Sequence, residues 1–291
     1  MNRYKAWIAA ARPQTLAASV SPVIVACALA YRAGVFRWIP ALLCLLVALF
    51  AQIASNLAND YFDFKKGADT SERLGQPRAV ASGWIKPHNM LIATFLMLTL
   101  ACLCGCGLLL FSDWRLIFAG VAIVLGVLAY SAGPYPLAYN GWGDVCVLLF
   151  YGVVPLCLTY YVQAGGFTLS VVLLSLAMGL LSINILLVNN YRDYEQDKIV
   201  GKRTSIVIFG LKFGRIFYLV NAILAVIMAY PAYIYRSKSV WFLFAFFLLL
   251  ELFIWQDLRR FRGSALNHTL EMTARNVLLF ALLLTSVLAF R

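Results

Sequence analysis

Nine apolar runs, set apart by short polar clusters, limit what this chain can fold into more than any other feature. They lie near 15–35, 38–58, 89–111, 115–132, 143–163, 167–188, 216–235, 239–256 and 275–290. A hydrocarbon core about 30 Å thick needs roughly 20 apolar residues of helix. Inside it, only closed hydrogen-bonding patterns such as helices leave no backbone group stranded. The 291 residues are 63% hydrophobic and only 12% charged, against about 25% charged in a soluble domain. A soluble enzyme, a disordered tail and a disulfide-framed secreted module are therefore excluded. The expected fold is all-α: one polytopic membrane bundle of nine transmembrane helices, with residues 1–291 forming a single domain. The first run starts too late, and is too long, for a cleavable signal peptide.

The net charge of +12 would suit a nucleic-acid binder, so its placement decides. Threading nine spans back and forth puts eighteen of the 24 Lys and Arg on the side of the N-terminus and six on the other. This positive-inside asymmetry predicts a cytoplasmic N-terminus and an external C-terminus in the inner membrane. The basic excess is topogenic, and no nucleic-acid partner is expected. The seven cysteines all lie in apolar stretches. Cys102, Cys104 and Cys106 are two apart, so neighbours in that series do not share a helix face, and they read as packing residues rather than metal ligands.

The acids are far less evenly spread. Seven of the twelve fall in two segments. Asp60, Asp63, Asp69 and Glu72 follow the second apolar run, and Asp193, Glu195 and Asp197 follow the sixth. A shift of 130 residues superposes Asn59 on Asn189, Tyr61 on Tyr191 and Asp63 on Asp193. Both segments contain Asn-x-x-x-Asp, and the second continues to Asp197. Positions i, i+4 and i+8 line one helix face, so each segment projects an amide and carboxylate stripe from the end of a membrane helix. Clustered carboxylates repel unless a cation lies between them. They are hard oxygen ligands suited to Mg²⁺, which commonly bridges to phosphates. Lys65, Lys66, Arg73, Arg78, Lys198, Lys202 and Arg203 lie in the same stretches and offer phosphate partners. The combination implies a diphosphate held by Mg²⁺ at a membrane mouth, its lipid tail in the bilayer.

At these residues the chain resembles the UbiA superfamily of intramembrane aromatic prenyltransferases. The resemblance runs through WIAAARPQTLAASVSPV (7–23), NDYFDFKKGAD (59–69), YSAGPYPLAYNGWGDVCVLLFYG (130–152) and NNYRDYEQDKIVGKRT (189–204). It implies nine helices with metal-diphosphate motifs after the second and sixth. By the resemblance, Asn59, Asp63, Asn189, Asp193 and Asp197 hold Mg²⁺, with Asp60 and Asp69 in the same motif. Lys66, Arg73, Arg78, Arg192, Lys198 and Lys202 are the expected diphosphate contacts. Asp63, Asp193, Asp197 and Tyr130 form the expected catalytic set, Tyr130 near the reacting carbon. The wording of both motifs is most similar to the branch acting on 1,4-dihydroxy-2-naphthoate in menaquinone biosynthesis. Ala138 is a departure, standing where many relatives carry a basic residue.

The resemblance implies that a polyprenyl diphosphate ionises and an electron-rich ring captures the allylic cation, with loss of CO₂ in the naphthoate branch. Two other readings stand beside it. The acceptor could be 4-hydroxybenzoate or homogentisate, since both motifs handle the diphosphate rather than the ring. An ion-coupled transporter also has repeated halves and intramembrane acids, but its charges usually sit near the midplane rather than at one face. Glu251, inside an apolar run, is a functional candidate by its burial in a span, or else it pairs with Arg259. His88 and His268 lack neighbouring ligands, and Asp257-Leu-Arg-Arg reads as an anchor.

Overall fold

The computed structural model describes residues 2–68 and 74–289. Among these residues every regular element is helical. A short helix α1 (Arg3–Ala11) is capped by the Asn2 side chain and ends at Arg12. Arg12 adopts a left-handed conformation, with φ 50°. Pro13 then opens α2 (Pro13–Arg32) at its first turn, where a proline costs no hydrogen bond. There follow α3 (Trp38–Lys65), α4 (Pro87–Leu108) and α5 (Leu116–Ser131). Next come α6 (Gly143–Ala164) and α7 (Leu169–Arg192), and then the short α8 (Tyr194–Ile199). The chain closes with α9 (Ser205–Met228), α10 (Lys238–Arg260) and α11 (Leu266–Ala289).

Among the described residues, eight helical stretches are long and apolar enough to cross a membrane, and the protein is a multi-pass membrane protein. The ninth expected run, 115–132, is α5. It is helical and apolar but has only 16 residues, about 24 Å at 1.5 Å per residue. Conversely α3 has 28 residues, about 42 Å. It therefore outlasts the hydrocarbon and carries Asn59 and Asp63 on its final turns.

Three expected boundaries move. The seventh run gains a helical turn from Ser205, which Thr204 caps by accepting from the Val207 N–H at 3.3 Å. A kink at Gly210 (φ 85°, ψ 167°) then leads into the long part of the helix. The last begins at Leu266 rather than 275, since Thr269, Thr273 and Asn276 are turned into the bundle and their polarity hides the turns that carry them. The second motif is not one unbroken helix either. α7 stops at Arg192 and Asp193 has φ −91°, ψ 8°. The i+4 relation nonetheless survives through Asp193 N to Asn189 O at 3.1 Å and Asp197 N to Asp193 O at 2.8 Å.

The core centres on α7, whose apolar stretch is the most enclosed of all the crossing helices. Val171, Leu174, Ala177, Met178 and Leu181 pack there against α2, α9 and α11. α4 and α10 lie outside, presenting residues such as Leu103 and Phe242 outward, as helices facing lipid do. A π-helical turn at Leu149–Val153 interrupts α6. Here the backbones of α6 and α7 meet directly: a Cβ on Gly152 would come within 2.5 Å of both Gly179 Cα and the Ser175 carbonyl oxygen. No larger residue fits there.

Candidate active site

The ends of α3 and α7 meet at the mouth of a cavity of about 620 Å³. Asn59, Asp63 and Arg78 line it from one side, and Asn189, Asp193, Asp197 and Lys202 from the other. On α3 its lining extends from Asp63 back to Cys44, nineteen positions or roughly 28 Å of helix. Beyond the charged mouth the walls are mainly apolar, with Val47, Leu109, Ile117, Leu125 and Phe150 among them. The space is a long apolar bore with one charged end.

In the first motif, Asp63 is held from outside its own helix. Arg78 Nη2 donates to its Oδ2 at 3.1 Å, and the Tyr139 hydroxyl donates to its Oδ1 at 2.8 Å. Arg78 also reaches Asn59 Oδ1 at 2.5 Å, and Arg12 Nη2 approaches the same oxygen at 3.3 Å. Lys66 donates to the Ser131 carbonyl at 2.8 Å and lies 4.5 Å from the centre of the Tyr139 ring. Lys202 lies 5.6 Å from that same ring, so two cations flank Tyr139. Burial lowers the affinity of the Lys66 ammonium for its proton, with Asp63 acting in opposition.

The second motif is held by its sequence neighbours. Arg192 grips Asp193 with two bonds, Nε to Oδ1 at 2.8 Å and Nη2 to Oδ2 at 2.7 Å. It also donates to Asn189 Oδ1 and to Asn267 Oδ1, both at 2.8 Å. Asn267 in turn donates to the Leu74 carbonyl at 3.0 Å, tying the loop after the first motif to the second. Asp197 meets Lys202 at 3.6 Å, while its Oδ2 is buried with no hydrogen-bond partner. Its carboxyl is pushed up to about 6, chiefly by burial, with Asp193 and Asp63 adding to the rise and Lys202 opposing it.

The structure thus brings together Asn59, Asp63, Arg78, Tyr130, Asn189, Asp193, Asp197 and Lys202 around one space, with Lys66 beside it. It does not bring the rest. Asp60 is turned away from the cavity and accepts the backbone N–H groups of Ala79 and Val80 at 2.9 and 3.1 Å, so it anchors the loop instead of facing a metal. Arg192 stands behind the wall, its donors committed to Asp193, Asn189 and Asn267. Lys198 is exposed and rests 5.2 Å from the Tyr194 ring. Asp69 and Arg73 lie outside the described residues. Glu251 is buried, accepting from Asn276 Nδ2 at 3.0 Å, and pairs with that amide rather than with Arg259. Among the described residues, no three His, Cys, Asp or Glu side chains stand close enough to form a ready metal cage.

Arg12 and Tyr139 are cavity residues that escaped the sequence reading. Arg12 reads as one more topogenic charge before an apolar run. Tyr139 lies in a segment whose motif value was legible, but an isolated tyrosine among glycines and prolines shows no periodicity. The connection that positions it is remote: the Arg203 N–H donates to the Tyr139 carbonyl at 2.9 Å, beside an isolated bridge between Asn140 and Arg203.

Residues 19–270 match the family model described as the UbiA prenyltransferase family. A 1,4-dihydroxy-2-naphthoate octaprenyltransferase of Haemophilus influenzae is 33% identical over 86% of this chain and 84% of its own length. The Escherichia coli protein of the same name is 36% identical over 72% of this chain and 70% of its own. A UbiA homologue from Archaeoglobus fulgidus, solved with DMAPP and Mg²⁺, superposes with a TM-score of 0.68 at 17% identity, covering 98% of this chain and 99% of that one. The family match and these relatives mark an integral-membrane aromatic prenyltransferase. The chain belongs to the UbiA prenyltransferase family.

Proposed function

We propose that the protein transfers a polyprenyl group from polyprenyl diphosphate to 1,4-dihydroxy-2-naphthoate, with loss of CO₂, to give demethylmenaquinone. The observation that carries this reading is the single cavity that joins two amide-carboxylate motifs to a long apolar bore. The naphthoate acceptor rests on the names of the Haemophilus influenzae and Escherichia coli relatives. The topology that suits it has nine crossings, a cytoplasmic N-terminus, the charged mouth facing the cytoplasm, and one domain in the inner membrane.

The donor set fits Mg²⁺. Asn59, Asp63, Asn189, Asp193 and Asp197 supply hard oxygen atoms, and the buried, unpartnered Oδ2 of Asp197 has an unmet demand for a positive neighbour. Mg²⁺ usually completes its coordination shell with substrate phosphate oxygens and water. When bound, Mg²⁺ neutralises charge developing on the leaving diphosphate. Arg78, Lys66 and Lys202 add fixed positive charge at the mouth, where they stabilise the same developing anion. The apolar walls keep water from an allylic cation, and the Tyr130 ring offers that cation a π face.

Mass spectrometry of products from dihydroxynaphthoate and a range of prenyl diphosphates tests the reading. A product that has gained the prenyl group and lost CO₂ supports it. Products only from 4-hydroxybenzoate or homogentisate would replace the acceptor and keep the reaction class.

A further inference from the structure

Behind the cavity wall, three buried polar atoms gather without partners. Asp144 Oδ1, Asn190 Oδ1 and Ser205 Oγ are each sealed from solvent with no hydrogen bond, and Asn190 and Ser205 are only 4% and 7% exposed. They come from the first turn of α6, the end of α7 and the first turn of α9. All three line a separate pocket of about 10 Å³. Buried polar groups are almost always satisfied. A space of this size with two to four polar neighbours is what one water requires. The Ser205 hydroxyl lies beside Asp144 in this lining.

This pocket is one wall away from the reaction space. Tyr130, Ala138, Leu186, Asn190 and Lys202 line both. Gly143 keeps the wall thin: a Cβ there would lie 3.2 Å from Leu186 Cδ2 and 3.8 Å from the Tyr130 hydroxyl oxygen. The Tyr130 hydroxyl therefore sits beside the turn that carries Asp144.

We propose that Asp144, Asn190 and Ser205 hold one water, and that Asp144 receives through it, by way of the Tyr130 hydroxyl, the phenolic proton of the aromatic acceptor. The acceptor's O–H bond breaks and its electron pair remains on the ring system that attacks the prenyl carbon. Tyr130 takes that proton while giving its own to the water, and the water gives one to Asp144. The step needs no oxidant or reductant. It rests on the prenyl-transfer reading above and adds to it a destination for the proton. Asp144 is a relay residue, touching neither substrate.

The test uses the full chain in detergent with Mg²⁺, one prenyl diphosphate and hydroxynaphthalene acceptors of graded acidity. Absence of transfer by the unaltered protein defeats both readings, whereas normal transfer by that protein beside variants that depart from the pattern below defeats the relay alone. Asp144→Asn is expected to lower kcat about 100-fold. The loss should shrink as the acceptor hydroxyl becomes more acidic, with prenyl diphosphate binding unchanged. Full activity, an equal loss on every acceptor, or weakened diphosphate binding overturns the relay. Ser205→Ala, which removes a water partner and no charge, is expected to show a smaller loss with the same acidity trend. It carries the test alone if Asp144→Asn does not accumulate. An experimental map at atomic resolution is expected to place one water among the three atoms, and a dry pocket overturns the proposal.

Discussion

The first aspartate-rich segment entrusts Asp63 to residues far along the chain, Arg78 and Tyr139, whereas the second keeps Asp193 with its own neighbour, Arg192. The first arrangement faces the cavity, since Arg78 and Tyr139 both line it. Those donors are able to turn from a carboxylate to a bound anion. The second is locked from behind by a guanidinium that does not line the cavity. Two motifs with matching sequence are therefore held differently: one by donors that line the cavity, the other by a guanidinium behind it, with the unpartnered Oδ2 of Asp197 close by.

The hardest blow to this comparison comes from removing a carboxylate on either side. Asp63→Ala or Asp193→Ala should lower transfer at least about 1,000-fold while the protein still assembles in membranes. Initial rates on purified variants measure this. Chelation by EDTA should abolish wild-type turnover as completely, and undiminished activity there would remove Mg²⁺ from the scheme.

Next in size, Arg192→Ala strands a buried carboxylate and should destabilise the protein by about 3–5 kcal/mol, read as a lower thermal midpoint in detergent. Arg192→Lys should recover only part, because an ammonium lacks the two-pronged grip. A stable Arg192→Ala protein with a raised KM for the diphosphate would make Arg192 a substrate contact and erase the contrast.

Tyr139→Phe keeps the ring between its two cations and deletes one hydrogen bond to Asp63. About a tenfold fall in kcat/KM is expected, and an unchanged value would make the Asp63 contact incidental. Asp60→Asn should cost about 1 kcal/mol of stability and leave the Mg²⁺ concentration dependence where it was. A shifted metal dependence would return Asp60 to the ligand set. The smallest effect belongs to Lys198→Ala, with activity within about twofold of wild type and stability within about 0.5 kcal/mol.

Much of this was legible in the sequence, for definite reasons. Apolar runs mark membrane helices because lipid leaves the backbone no alternative. The repeat of Asn-x-x-x-Asp showed because the same spacing recurs 130 residues further on, and both copies line one cavity. The ends of the helices were less legible. At Leu266 the polar face of α11 points inward to Glu251 and Tyr218, and hydropathy averages over faces. Within a motif, adjacent oxygen-bearing side chains look equivalent in sequence. A rotation of about 100° between Asn59 and Asp60 on α3 sends one into the cavity and the other to the Ala79 and Val80 amides. Contacts such as Arg12 to Asn59 depend on a loop conformation that no period encodes.

The seam between Gly152 and Gly179 has a mechanical consequence. Two backbones in direct contact have no rotamers to exchange and no side chains to compress, so the partition between the bore and the α7 core is a stiff one. When the bore takes up or releases a bulky tail, the give falls to the opposite wall. That wall is α4 and α5, whose outer residues Leu103 and Phe118 are 63% and 65% exposed. In place of packed protein they have fluid lipid at their backs, and the bilayer itself serves as the compliant side of the reaction chamber.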